Sequence, residues 1–377
     1  LLGLPPGDLD LATTLRPEMV RKLAKTARLR TIPTGIAHGT VTILADDLPF
    51  EVTTLREDVE TDGRHAVVRF GRDFEADARR RDFTINALSV DRDGQVFDYV
   101  GGRADLERRR IRFIGNADLR IREDYLRILR FFRFHATYGA GPLDPDGHAA
   151  AVANRAGLGR LSRERIRSEM LKILAAAGAA AAVAAMHDAG ILTPILGQPG
   201  DPGRLARLAA LDPRPGDAVL RLGALALRGV GDIEALRTAL RLSNAEADRL
   251  SAALEARRGL GARIAPPTTA ELRRMLFFHG REATADALRL AYADEDRPDA
   301  RAWQRAMADL AGVAVPVLPI SGRDLVARGI TGPALGAALA RFRSVWAQAG
   351  FPADPRSIAH LRDAAASVET DDPQATS

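Results

Sequence analysis

Leu4-Pro5-Pro6-Gly7-Asp8-Leu9-Asp10-Leu11-Ala12-Thr13 lies near the front of the chain. In an extended segment alternate side chains face the same way, so Leu9 points away while Asp8 and Asp10 point together. Two hard oxygen ligands on one face can hold Mg²⁺ against the phosphates of a nucleotide. A solvated turn after Pro-Pro-Gly accommodates the same residues, so the choice rests on the residues further along the chain.

Beyond this stretch the chain reads first as mixed α/β. Thr40-Val41-Thr42-Ile43-Leu44 and Phe50-Glu51-Val52-Thr53-Thr54 are short and rich in β-formers. Asp46-Asp47-Leu48-Pro49 joins them as a hairpin connection. A helix is expected over 17–29, and a further strand over 95–99 after the Asp93-Gly94 turn. From about Asp118 the apolar spacing becomes helical, over 121–134, 163–177, 179–189, 232–242, 244–258 and 269–278. Ser162 is an N-cap candidate with Glu164 in the first turn. The predicted fold class is therefore α+β, a small α/β head followed by an all-α neck, body and tail. The expected divisions are 1–115, 116–200 and 201–368, with 369–377 a polar, disordered tail.

The composition sets bounds. The chain has 377 residues, 46% hydrophobic and 27% charged, enough for about two to three domains or layers. No apolar run is long enough to span a bilayer, so no membrane partner is expected. The absence of cysteine excludes disulfides, Cys-ligated zinc and thiol catalysis, and fits a reducing cytoplasm. The first residue is not Met and no basic leader precedes an apolar run, so the expected location is cytoplasmic. The start at Leu-Leu-Gly suggests a chain cut at its front. Net charge is only +5, yet the basic residues are overwhelmingly Arg, whose planar fork pairs with phosphate at two points. A GC-rich genome explains that bias equally well, but not where the arginines cluster.

Four clusters come after the Asp pair. The first is Thr34-Gly35-Ile36-Ala37-His38-Gly39-Thr40 and then Phe50-Glu51-Val52-Thr53-Thr54-Leu55-Arg56. Glu51 is either a third carboxylate beside the pair or an edge-strand solvent residue. The second, Asp77-Ala78-Arg79-Arg80-Arg81-Asp82-Phe83-Thr84-Ile85-Asn86-Ala87, sets Arg81 just before an apolar segment. Arg beside a triphosphate neutralises charge developing on a leaving group. The third, Asp98-Tyr99-Val100-Gly101-Gly102-Arg103, pairs glycines where a backbone is approached closely or turns tightly. The fourth is Glu123-Asp124-Tyr125-Leu126-Arg127-Ile128-Leu129-Arg130-Phe131-Phe132-Arg133-Phe134. On one helix, Asp124, Arg127, Arg130 and Arg133 fall roughly along one side, either as a salt-bridged solvent face or as a basic stripe awaiting a partner.

Together and in this order, these motifs resemble the class II tRNA nucleotidyltransferase/poly(A) polymerase family, nearest its bacterial CCA-adding branch. The resemblance is strong over 1–174. It continues more weakly through Ala189-Gly190-Ile191-Leu192, Ser321-Gly322-Arg323-Asp324-Leu325 and Gly332-Pro333-Ala334-Leu335-Gly336. It implies a polymerase-β-like nucleotidyltransferase head. Asp8 and Asp10 become the expected Mg²⁺ ligands and, with Glu51 as helper, the catalytic carboxylates. Arg81 becomes a nucleotide contact with Arg80 and Asp82 beside it. Asp124 and Arg127 become the reader of the incoming base, and Arg130 and Arg133 complete the nucleotide-binding set. The implied substrates are CTP and ATP, and the implied partner is tRNA, bound by the helical body and tail; no DNA is expected. The family also places a Gly-Gly-x-Val-Arg-Asp segment just before Leu1, so this chain is expected to lack part of the triphosphate site.

The base-reading role has a physical basis. A and C each present an amino donor beside a ring-nitrogen acceptor, whereas G and U present the reverse. A carboxylate beside a guanidinium matches the first pattern, with Asp124 accepting and Arg127 donating. Each matched contact is worth roughly 1–3 kcal/mol of discrimination. The family's flexible loop between the first two clusters corresponds to 56–70, whose presence favours complete CCA addition over a CC-only relative. The remaining readings are a poly(A) polymerase of the same superfamily and a catalytically impaired RNA-binding fragment. An HD-type hydrolase, suggested by His187-Asp188, would need further His and Asp ligands at helical spacing nearby.

Overall fold

The computed structural model describes residues 3, 9–32, 36, 39–61, 66–211, 216–261, 265–296 and 299–366. Asp8, Thr34, Gly35, Ala37, His38 and the tail 369–377 lie outside the described residues. The chain divides into two compact units, 1–246 and 247–377.

The first unit opens with β1 (Asp10–Thr13), α1 (Pro17–Thr26), β2 (Arg30–Ile32), β3 (Thr40–Ala45) and β4 (Leu48–Thr54), which form a four-stranded sheet in the order β1-β4-β3-β2. β1 runs parallel to β4, and β3 is antiparallel to both its neighbours. The period of two sorts the side chains by face. Val41 and Val52 are buried against Val20 of α1, with Ile36 and Ile43 packed around them. The alternate residues Asp10, Glu51 and Thr53 are left to the other face. The β3–β4 turn is tighter than the sequence suggests. Asp46 and Asp47 alone make it, with φ of 50° and 60°, and Leu48 and Pro49 already belong to the strand. Paired positive φ values match the right-handed twist of a hairpin.

The stretch expected as a flexible loop is a second hairpin, β5 (Arg56–Thr61) and β6 (Ala66–Phe70), with its register shifted between Asp58 and Glu60. Next come α2 (Phe74–Arg79), a 3-10 turn over Thr84–Ala87, the short hairpin of β7 (Ser89–Val90) and β8 (Val96–Phe97), and α3 (Gly102–Glu107). One Asp98 oxygen accepts from Val100, Gly101 and Gly102 N–H and the other from Arg103 N–H, closing the start of α3. Both readings of the paired glycines hold. Gly101 has φ 80°, and a Cβ on Gly102 would lie 2.2 Å from the Thr84 carbonyl oxygen.

The single helix expected over 121–134 is two helices, α4 (Ala117–Glu123) and α5 (Leu126–Tyr138). Asp124 between them is extended, φ −153° and ψ 109°, and its Oδ1 accepts Leu126 N–H at 3.0 Å. A short carboxylate bonding to the backbone two residues on competes with helix continuation, and here it wins. Phe83, fully buried, then joins the head to α5, packing at a tilt against Phe113 at 4.8 Å and Phe134 at 4.9 Å between centroids. Each such ring contributes about 1.5–3 kcal/mol by burial. The unit continues through α6 (Pro145–Ala153), α7 (Arg163–Ala175), α8 (Ala179–Asp188), α9 (Leu192–Leu196), α10 (Pro202–Leu211), α11 (Ala218–Ala226) and α12 (Ile233–Leu240). The division between units falls within α13 (Asn244–Arg258).

The second unit holds α14 (Thr269–Asp294), α15 (Ala300–Gly312), α16 (Gly322–Val326), α17 (Pro333–Gln348) and α18 (Pro355–Ala366). The helix expected to stop at Phe278 continues to Asp294 across a kink at Gly280, whose φ is 76°. His279 thus ends a helical segment, as its place before a glycine suggests. Phe342 and Trp346 are buried with Leu325 and Phe351 in this unit's core. Arg341 Nε donates to the Ala365 carbonyl at 3.0 Å.

Candidate functional site

A cleft of about 1090 Å³ opens in the first unit. On one side Asp10 and Glu51 are register partners on the parallel strands β1 and β4, and both are exposed. Register partners on adjacent strands present their side chains on the same face. Thr40 and Thr53 lie on the same part of the lining, with their hydroxyls 3.0 Å apart. Two exposed carboxylates side by side form a hard-oxygen donor set that fits Mg²⁺. Asp8, the other expected ligand, lies outside the described residues.

Arg80 and Arg81 line the next part. Both are aimed by Asp77, a residue that the sequence gives no reason to single out. Its Oδ1 accepts Arg80 Nη2 at 2.7 Å and its Oδ2 accepts Arg81 Nη2 at 3.1 Å. Arg81 Nη1 also donates to the Asn86 carbonyl at 3.2 Å. The carboxylate is buried, whereas 38% of the Arg81 side chain remains exposed and available to a phosphate. Asp82 is buried and accepts Arg130 Nε at 2.5 Å and Asn86 Nδ2 at 2.9 Å. Burial pushes the Asp82 carboxyl up, but Arg130, Asn86 and the nearby Arg127 charge outweigh it and hold it below the usual carboxylate range.

Asp124, Arg127, Arg130 and Arg165 close the cleft. Asp124 Oδ2 accepts Arg165 Nη2 at 2.7 Å. A carboxylate has about four acceptor positions, so two remain on Asp124 after Arg165 and Leu126. Arg127 Nη1 donates to Glu123 Oε2 and to the Arg120 carbonyl. Among the described residues its Nε and Nη2 donate to nothing, which leaves them for a ring nitrogen.

The structure brings Asp10, Glu51, Arg80, Arg81, Asp82, Asp124, Arg127 and Arg130 to one cleft. Arg133 is not on its lining. Its guanidinium pairs with buried Glu169 of α7 at 2.8 Å and stacks over Phe134 at 4.7 Å. Arg165 is a charged lining residue that the sequence motifs do not single out. A signal existed, because Arg163 and Arg165 occupy the first turn of α7, where the helix dipole favours acids.

Residues 1–112 match the family model described as the poly A polymerase head domain. Residues 142–200 match the one described as a probable RNA and SrmB-binding site of polymerase A. The mitochondrial CCA tRNA nucleotidyltransferase 1 of Danio rerio is 34% identical over 367 residues, spanning 93% of this chain and 81% of that protein. This chain belongs to the CCA-adding tRNA nucleotidyltransferase family. Another member, the CCA-adding enzyme of Geobacillus thermodenitrificans, is 40% identical over 195 residues, 51% of this chain and 47% of that one. The crystal structure of the Bacillus stearothermophilus CCA-adding enzyme in complex with CTP superposes with a TM-score of 0.74 at 29% identity. That alignment covers 96% of this chain and 90% of the other. Family membership and the α+β architecture are therefore those that the motifs implied.

Proposed function

We propose that this protein adds C, C and A, without a template, to the 3′ end of tRNA from CTP and ATP, releasing pyrophosphate. The observation that carries the reading is the single cleft shared by the Asp10/Glu51 pair and the Asp124/Arg127 pair. One pair suits phosphoryl chemistry and the other suits the pairing edge of A or C.

The RNA 3′-hydroxyl attacks the α-phosphate in line, and pyrophosphate leaves. Asp8, Asp10 and Glu51 would hold Mg²⁺, which supplies Lewis-acid stabilisation of the attacking and leaving oxygens. Arg80 and Arg81, pre-aimed by Asp77, neutralise the triphosphate at no reorganisation cost. Asp124 accepts from the base amino group and Arg127 donates to the ring nitrogen. Against G or U the same two groups set acceptor against acceptor and donor against donor. Arg165 holds the Asp124 carboxylate, and Arg130 ties α5 to Asp82 under the phosphate-binding segment. We assign the head, 1–115, to the triphosphate, the neck, 116–200, to the base, and the body and tail, 201–368, to tRNA. None of the described helices is long and apolar enough to cross a membrane. On its cysteine-free sequence we place the protein in the cytoplasm.

The test is incubation with Mg²⁺, CTP, ATP and a tRNA lacking its 3′ end, followed by sequencing of the product ends. Addition of C, C and A that stops there is the expected result. Open-ended A tails would make the protein a poly(A) polymerase, and absence of product would favour an RNA-binding role.

A further inference from the structure

Arg120 of α4 lies off the cleft lining, with 14% of its side chain exposed, and touches both halves of the site. Its Nη2 donates to the carbonyl oxygens of Arg79 at 3.1 Å and Arg81 at 2.5 Å, the backbone that carries the phosphate-facing arginines. Its Nη1 donates to both Glu123 oxygens, at 3.2 and 2.9 Å. Glu123 Oε2 in turn accepts Arg127 Nη1, and the Arg120 carbonyl accepts the same Nη1 at 2.7 Å. Arg127 is therefore fixed twice, once by the backbone of Arg120 and once by a carboxylate that Arg120 itself orients.

We infer that Arg120 is a positioning residue for base selection, joining the Arg79–Arg81 backbone to Arg127 through Glu123. The inference rests on the reading of Arg127 as a base contact. The geometry needs a guanidinium. Two carbonyls and a carboxylate are held at once by opposite prongs of one rigid fork, which a compact ammonium cannot span. Glu123 is shared by two cations, so its position is a compromise between them. If Arg120 lets go, Glu123 and Arg127 are free to turn as a pair, and the Nε and Nη2 donors lose their aim. The amino and ring-nitrogen contacts of CTP then weaken, and so does the penalty that UTP meets.

The test compares the full chain with Arg120→Lys, Glu123→Gln and the double variant. It measures kcat/KM for CTP and UTP on a tRNA lacking its 3′ end, thermal stability, and titration of the tRNA-free protein with each nucleotide. Each single variant is expected to lower the CTP-over-UTP ratio about tenfold, the order set by one mismatched contact. The double variant is expected to lower it no further, because both changes cut one relay. A matched fall for CTP and UTP with the ratio unchanged, or additive effects in the double variant, overturns the inference. If Arg120→Lys does not fold, an unchanged ratio in Glu123→Gln overturns it alone. Failure of the wild-type chain to extend tRNA overturns the proposed function instead, and the titration then decides the relay. A CTP preference lost in the variants supports it, and a preference retained by them, or absent from the wild type, overturns it.

Discussion

Asp10 and Glu51 are exposed register partners, and two carboxylates directly opposite are mildly unfavourable, a cost that a bound cation would offset. Asp10→Asn is expected to lower kcat at least about 10²–10³-fold, the usual cost of removing one preorganised electrostatic group. RNA binding, assayed by filter retention, should be unchanged; near-normal turnover would remove Asp10 from the metal set. Arg127→Ala is expected to relax selection against UTP and GTP, whereas Asp10→Asn slows all nucleotides alike, and single-nucleotide incorporation assays separate the two. Residues whose chemistry announces itself were legible in the sequence. Asp77, Arg120 and Arg165 were not, because each acts through a partner that only the fold supplies. Arg133 lies off the cleft lining for a geometric reason. A three-residue spacing falls about 60° short of a full helical turn, so two steps from Arg127 carry Arg133 about 120° away from the cleft and onto Glu169.

Among the elements, those with a clear period were readable. The β3–β4 hairpin and α13 lie where alternation and helical spacing place them. Breaks were harder to see. Asp124 ends α4 by a side-chain to backbone bond that leaves the apolar spacing on either side intact. The junction of α3 with the 3-10 turn is a tight joint near the site, and it offers an element-scale prediction. A methyl at Gly102 would meet the Thr84 carbonyl oxygen at 2.2 Å and the Leu88 side chain at 3.2 Å. Thr84 cannot yield easily, since its N–H donates to the Arg112 carbonyl and its hydroxyl donates to buried Asp105 at 2.7 Å. Gly102→Ala should therefore cost about 3 kcal/mol, the upper part of the range for overpacking a site that cannot relax. The displaced 3-10 turn carries Asn86, whose carbonyl steadies Arg81, so KM for both nucleotides should rise as stability falls. Full stability in denaturant melts of Gly102→Ala would show that the joint is looser than the structure places it.

At the scale of the whole molecule, the two units can be followed separately. Both tryptophans, Trp303 and Trp346, lie in the second, so their fluorescence reports on it, while three of the four tyrosines, Tyr99, Tyr125 and Tyr138, lie in the first and Tyr292 lies in the second. Two groups of the first unit, His135 and Asp82, act on its acid response in different pH windows. Burial lowers the His135 pKa, so the unfolded chain takes up this proton first, and stability falls as pH drops below about 6.5. Asp82 is held below the ordinary carboxylate value of about 3.9, after Arg130 and Asn86 outweigh its burial. Its contribution is present above that pH and is lost as pH falls through the lower folded value. Asp82→Asn should thus destabilise the first unit by about 2–3 kcal/mol at neutral pH, less than a fully buried pair because Arg130 can reach water. The gap from wild type should stay level between pH 8 and 5 and close only below about pH 4. Replacing His135 by Gln should instead flatten the fall that begins near pH 6.5 and leave the acid step in place. Urea unfolding followed by tyrosine signal and far-ultraviolet circular dichroism across this range resolves the two steps. A gap for Asp82→Asn that closes already near pH 6 would mean that its carboxyl is not held low by Arg130, and the joint between head and neck would need another source of strength.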